Sequence, residues 1–400
     1  MKLSFVTPRF GKDIVGGAEY AIGQLAKNCV EFGGVQAEIL TTTAGDERTW
    51  SQKYDVGSET IDGVVVKRFA NKAIVRAEFD LWSQKHLTNP EKMTVDDFEE
   101  WLVRQGPYSP DLLNAIENCE SQAVVFHPML SSPTSHGIFR AKVPSVLHPA
   151  LHDEPLARMP GYKKVVNHAS FLSFSTVSEQ KLSSELYGSQ LSKQAVLGFG
   201  IDSLLTAGKH EAESILNRFA LENEQYFIVV GRVDPGKGSD LVADFFEEFL
   251  KHDKSKKLVF VGPVSQTSKL FDQDFLSRNS DNIIVTGMLD DGDKNTLISH
   301  ACALITPSAT ESFSLVALEA MKLKTAVIVN KACGPTLEHV QLSNSGYFFE
   351  DYASFHSCLA LASTKSNENE VRVDNGFKYV EDKYSWRNII ERYIKIIKTL

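Results

Sequence analysis

Short apolar, β-branched runs recur along the whole chain. In the first half they fall at 3–6, 37–40, 64–66, 123–126, 145–147 and 171–177, and in the second at 227–230, 258–261, 283–285, 303–305 and 326–329. Each is too short for a helix, and helix-period segments separate several of them. Strands that alternate with helices predict parallel sheets covered on both faces. Two such series predict an α/β chain of two doubly wound, Rossmann-like domains, joined near 198–220 after a strand-like run at 195–197.

Two segments break the rhythm. Residues 71–120 have few strand signals and read as a helical insertion in the first domain. Thr94 caps a helix with Asp97 three residues on, and Val95, Phe98, Trp101 and Leu102 fall on one face. Ser109-Pro110-Asp111 marks a second helix start, with proline at the first helical position. The insertion is either a packing flap or a surface for a partner molecule. The last segment, 385–400, carries an apolar helical stripe of Ile389, Ile390, Tyr393, Ile394 and Ile397. It predicts packing on a domain rather than on a membrane, because the stripe is short and its polar side is not strongly basic.

Composition narrows the class. The chain has 400 residues, 42% hydrophobic and 23% charged, which suits two soluble domains with cores. A net charge of −9, with acidic residues outnumbering basic ones in both halves, argues against nucleic acid as a partner. No apolar run reaches the ~18 residues of a membrane span. The start, MKLSFVTPRF, lacks a signal-peptide pattern. The 5 cysteines are widely spaced and never C-x-x-C, which reads as reduced thiols in a cytoplasmic protein.

Four places could carry chemistry. Gly16-Gly17-Ala18-Glu19 follows the first strand and opens a helix, so a phosphate could approach bare N–H groups and the positive end of the helix dipole; plain turn chemistry would also explain it. Gly231-Arg232-Val233-Asp234-Pro235-Gly236-Lys237-Gly238 sets a guanidinium and an ammonium on a glycine-rich loop at a strand's carboxyl end. Open parallel sheets bind ligands there, and this pair suits a diphosphate; the alternative is a solvated turn. Residues 307–321 turn from a strand into a helix starting near Ser312 or Ser314, with Glu311 at the entrance and Glu319 about two turns in. Leu315, Val316, Leu318 and Met321 surround Glu319, which fits badly with a surface position. Residues 147–155, LHPALHDEP, place His148 and the pair His152-Asp153 past the run at 145–147, and His127 and His136 follow the run at 123–126.

Several chemistries lack their signature. There is no G-x-G-x-x-G for a dinucleotide, no Walker A ending, no H-E-x-x-H and no G-x-S-x-G. Of the two D-x-D triplets, 272–274 sits in a polar helical stretch and 291–293 in a turn before a helix, where Asp caps are expected, and neither is read as a metal site.

Taken together these motifs resemble the family 4 glycosyltransferases, whose fold is GT-B, two Rossmann-like domains facing a cleft. The second half carries the more specific match: G-R-x-x-x-x-K-G-x-D at 231–240, Pro307-Ser308, then E-x7-E from Glu311 to Glu319 followed by Ala320-Met321. Gly200-Ile201-Asp202 looks like that family's G-I/V-D, and LHPALHDEP looks like a bacterial polysaccharide-biosynthesis subgroup. The resemblance implies an acceptor domain at 1–200, a donor domain at 201–384, and a terminal helix at 385–400 packing back on the first domain. It implies transfer of a hexose from a nucleotide-diphosphate sugar to a glycan or lipid-linked glycan, with retention and without a metal or other cofactor. It leaves room for peripheral association with the inner face of a membrane, and does not fix the oligomer.

By the same resemblance the catalytic candidates are Glu311, His152, Arg232 and Lys237. Arg232 and Lys237 would hold the diphosphate, with Gly17 lining its other side. Glu319 would take the ribose hydroxyls, Met288 would meet the base, and Glu311 would contact the sugar beside the backbone of Phe313, Ser314 and Leu315. His152 would match the family's histidine near the reacting region. Relatives often read E-G-F-G where this chain reads Glu311-Ser312-Phe313-Ser314. The rival readings are a non-catalytic nucleotide-sugar binding protein and a sugar-nucleotide epimerase of the same architecture.

Overall fold

A computed structural model describes residues 1–14, 16–188 and 193–400. The chain divides into two compact units, Met1–Gly200 with Trp386–Leu400, and Ile201–Ser385.

The first unit is built on strands β1 (Lys2–Val6), β2 (Gln36–Thr42), β3 (Gly57–Ile61), β4 (Val64–Phe69), β5 (Ala123–Phe126), β6 (Ser145–Leu147), β7 (Phe171–Phe174) and β8 (Lys193–Val196). Among the described residues they form one sheet in the order β3-β4-β2-β1-β5-β6-β7-β8. All pairs are parallel except β3 on β4. The inner strands are buried on both faces, as a sheet covered by crossover helices requires. β3 has no counterpart in the hydrophobic pattern because most of its residues are exposed. What makes it is the Asp62-Gly63 turn, with φ 47° and 80° at the two central positions of a tight hairpin.

The run at 171–177 is shorter as a strand than its apolarity implies. β7 stops at Phe174, and Val177 opens the helix Val177–Tyr187, because the Thr176 hydroxyl accepts from the Glu179 amide and caps it. In the 71–120 segment, helices run at Arg76–Leu87, Val95–Gln105 and Pro110–Glu117. Thr94 and Asp97 form a reciprocal capping box, an arrangement worth about 1 kcal/mol. Phe98, Trp101 and Leu102 join the buried core with Tyr162 and Val166, while Val95, expected on the same face, is 54% exposed at the helix start. Gly161 is required there, since a Cβ would lie 2.1 Å from the Phe98 ring. The helix Trp386–Ile397 buries Ile389, Ile390, Tyr393 and Ile397 and packs near Gly33 of this unit, and the Trp386 indole rests on Gly200.

The second unit is built on β9 (Tyr226–Val230), β10 (Lys257–Val261), β11 (Ile283–Gly287), β12 (Ala303–Thr306), β13 (Ala326–Asn330) and β14 (Tyr347–Phe349). The sheet is parallel, in the order β11-β10-β9-β12-β13-β14. The chain thus runs outward one way from β9 and the other way from β12. The boundary between these two strands is the switch point, where open α/β sheets bind ligands. No helix among the described residues is long and apolar enough to cross a membrane.

Candidate functional site

The switch point of the second unit brings two sequence-predicted loops together. The loop after β9 runs into a short turn at Pro235–Lys237 and then the helix Ser239–Phe249; the loop after β12 leads into the helix Leu315–Lys322. Gly238, at φ 77°, lies so close to the second loop that a Cβ would sit 2.6 Å from the Pro307 carbonyl oxygen. The same carbonyl accepts from Asn330 Nδ2 at 2.9 Å, so the end of β13 fixes it as well. Lys237 Nζ donates to Glu311 Oε1 at 2.7 Å. The Asp234 side chain accepts from the Gly236 amide and tightens the turn that carries Lys237. Arg232 is exposed on this loop. Two helix N-termini, the positive ends of their dipoles, therefore lie beside one ammonium and one carboxylate.

Glu319 lies deeper. It is 9% exposed, and its Oε2 stands 3.4 Å from Lys294 Nζ, whose other partner is Asp291 at 2.9 Å. Burial raises the Glu319 carboxyl above its usual range against the pull of Lys294, and Asp291 and Asp202 push it the same way as burial. Met288 follows β11 and is 57% exposed, a large apolar side chain open to a planar ligand. The D-x-D residues have other partners: Asp272 caps a helix through the Asp274 amide, Asp291 pairs with Lys294, and Asp293 pairs with Arg218.

Ser314 differs from the expected cap. It occupies the N-cap position at φ 63° and its side chain makes no capping hydrogen bond. That left-handed backbone favours glycine over serine. The turn is held from the side. The Phe313 carbonyl accepts from His339 Nε2 at 3.0 Å, and His339 Nδ1 is 3.0 Å from the Tyr379 hydroxyl, itself 3.2 Å from that of Tyr384. A carbonyl only accepts, so Nε2 carries the proton. Burial lowers His339 to about 4, so the ring is neutral and Nδ1 accepts from Tyr379.

The first unit places its own candidates separately. Gly17 opens the helix Gly17–Glu31, and a Cβ there would meet nothing within 4 Å, which leaves room for a ligand. Gly16 is needed for another reason: the buried pair Arg9 Nε–Glu19 Oε1, at 2.5 Å, fills the space a side chain would use. His152 is half-buried, and the expected His-Asp pairing does not form. His152 Nδ1 faces Glu154 Oε1 at 3.6 Å, while Asp153 pairs with Arg158 at 2.5 Å, because the chain turns between the two neighbours. His127 and His148 are buried against Phe199, and His148 Nε2 lies 3.2 Å from the Tyr393 hydroxyl. His136 lies 3.1 Å from Glu99. Sequence reasoning missed Lys294, Asn330, His339 and Glu179; none of them belongs to a local motif.

Comparison with known proteins bears on the second unit first. Residues 212–379 match the family model of the Glycosyl transferases group 1. This group 1 region contains both switch-point loops, Met288, Glu319 and His339. Among curated relatives the chain is 25% identical over 181 residues to an uncharacterized glycosyltransferase of Methanocaldococcus jannaschii, covering 44% of this chain and 45% of that one. It is 29% identical over 188 residues to a D-inositol 3-phosphate glycosyltransferase of Kineococcus radiotolerans, covering 44% and 42%. The chain thus matches less than half the length of these two relatives.

Solved structures resemble the whole fold. Anabaena HepE in complex with UDP superimposes with a TM-score of 0.70 at 15% identity, covering 100% of both chains. The E. coli trehalose-6-phosphate protein bound with UDP-2-fluoro glucose gives 0.71 at 14% identity, covering 100% of this chain and 99% of that one. The pair of parallel-sheet α/β units is the GT-B fold of these neighbours.

Proposed function

We propose that the chain is a retaining, metal-independent glycosyltransferase that moves a hexose from a nucleotide-diphosphate sugar to a glycan or lipid-linked glycan acceptor. The observation that carries this reading is the meeting of Lys237, Glu311 and two helix N-termini at the switch point of the second sheet. The group 1 match over that region supports it, as does the likeness to structures that hold UDP or a UDP-sugar.

Breaking a glycosyl–phosphate bond builds negative charge on the leaving diphosphate and positive charge on the sugar, as in oxocarbenium chemistry generally. Arg232, Lys237 and the helix amides stabilise the diphosphate, and such preorganised donors are each worth roughly 3–4 kcal/mol. In the unliganded pair Lys237 neutralises Glu311. A diphosphate takes over Lys237 and releases Glu311 to the sugar hydroxyls. Glu319, paired with Lys294, accepts from the ribose, and Met288 covers one face of the base. Gly17 and His152 are the candidates within the first unit, where we place the acceptor side (1–200), and the biological setting we favour is bacterial surface polysaccharide synthesis at the inner face of the cytoplasmic membrane.

A thermal-shift panel of UDP, GDP, ADP and their sugars tests the donor half, since a ligand that binds only the folded state raises the melting point. Release of nucleoside diphosphate from the stabilising donor then separates an enzyme from a binding protein. Conversion of the donor sugar without any acceptor would identify an epimerase instead.

A further inference from the structure

The segment that carries His152 is tied to a buried carboxylate outside the transfer scheme. Glu179 lies in the first turn of the helix Val177–Tyr187 and is 1% exposed. Its Oε1 accepts from the Leu151 amide at 2.8 Å and its Oε2 from the Ser175 amide at 2.6 Å, so each oxygen serves a different stretch of backbone. The turn before Leu151 needs holding, because Ala150 sits at φ 52°, a left-handed backbone that an L side chain rarely adopts. His152 is the next residue after Leu151. Burial outweighs the Ser175 and Leu151 amides and the charge of His152, which draw the Glu179 carboxyl down, and leaves it raised to about 7.

We propose that Glu179 is a positioning residue, pinning the Leu151 amide so that the strained turn presents the His152 imidazole in one orientation. A carboxylate suits the task because both acceptor atoms face N–H donors. Glutamine has the same shape but offers one acceptor and one NH2, which would set donor against donor at Leu151 or at Ser175. The inference rests on the reading of His152 as the group beside the reacting sugar.

The test uses the full chain with Glu179→Ala and Glu179→Gln, the second serving if the first does not fold. Amide exchange is followed by NMR or by mass spectrometry of short peptides. Exchange at Leu151 and Ser175 should quicken at least ten-fold in Glu179→Ala, and at one of the two in Glu179→Gln, with the amides of β7 unchanged. In transfer assays with the stabilising donor, Glu179→Gln should lower kcat at least ten-fold and leave the donor KM within two-fold, a split that general loosening would not give. Unchanged exchange at both amides would overturn the proposal. So would a kcat within two-fold of wild type, or a kcat and donor affinity that fall together. If the wild type transfers no sugar, the transfer reading fails and the exchange result still decides whether Glu179 pins the turn.

Discussion

Replacing Lys294 with methionine probes how Glu319 is kept charged inside the second unit. Oε2 and Nζ stand 3.4 Å apart, with side-chain exposures of 11% and 18%. At an effective dielectric of 20 that separation corresponds to roughly 5 kcal/mol of attraction. Methionine keeps much of the length and the apolar contacts and removes the charge, leaving a buried carboxylate facing Asp291 and Asp202. Breaking one side of a buried pair costs about 3–5 kcal/mol. In a domain of this size that lowers Tm by on the order of 6–20 °C. The pH dependence has a definite sign. Burial already holds the Glu319 carboxyl above its usual range, and loss of Lys294 raises it further. A group whose folded pKa is raised binds its proton in the folded state where the unfolded state has released it. Its contribution is therefore intact at low pH and lost as pH climbs through the folded value. Urea unfolding of Lys294→Met should accordingly show a large deficit at pH 8 that shrinks toward pH 5. The double variant Lys294→Met/Glu319→Leu should recover most of it. A deficit below about 1 kcal/mol at pH 8, or one that does not depend on pH, would refute the argument.

Other outcomes follow from the same geometry. Ser314→Gly removes a left-handed serine and should stabilise the second unit by about 0.5–1 kcal/mol in urea unfolding. His339→Phe strands the Phe313 carbonyl and the Tyr379 hydroxyl, so a loss of about 1–3 kcal/mol is expected, with weaker nucleotide stabilisation in thermal shift. Lys237→Met should abolish most stabilisation by nucleoside diphosphates, with little change in the unliganded melting point because the exposed part of the Lys237–Glu311 pair is solvent-screened. Gly238→Ala combines a positive φ with a contact on the Pro307 carbonyl and should weaken nucleotide binding even where the protein stays folded.

The sheets were legible because their inner strands are buried on both faces, and such strands announce themselves as short apolar runs. β5 and β6 have the very bounds that the pattern predicts. β3 was hidden by its polar, exposed residues, although Asp62-Gly63 ahead of Val64 is a hairpin signal that could have found it. In the candidate site the readable part was the part written locally: Lys237 on a glycine-rich loop and Glu311 before a helix. The rest depends on how the helices between the strands are brought together by the sheet. Lys294 meets Glu319 because β11 and β12 each lead into a helix on the same sheet, and no spacing along the chain encodes that approach. His339 was unreadable for the same reason, since its partners come from the loop after β12 and from the helix Asn367–Lys383.

The 311–314 turn joins these levels. A left-handed serine persists only where its surroundings over-determine the backbone. Here the constraint is visible: the Phe313 carbonyl, one residue before the strained position, is fixed by a neutral imidazole whose other nitrogen accepts from the Tyr379 hydroxyl. The Tyr384 ring closes against Phe313 and His339, with centroids 5.3 Å and 5.7 Å away. The Tyr384 carbonyl also accepts from the Ile201 amide at 2.8 Å, so the residues at the two ends of the second unit are joined to the network that shapes the turn. Backbone freedom that glycine would have supplied is replaced by buried side chains acting from a distance in sequence. The turn should therefore be stiffer than a glycine one, and its shape should respond to whatever moves Tyr384.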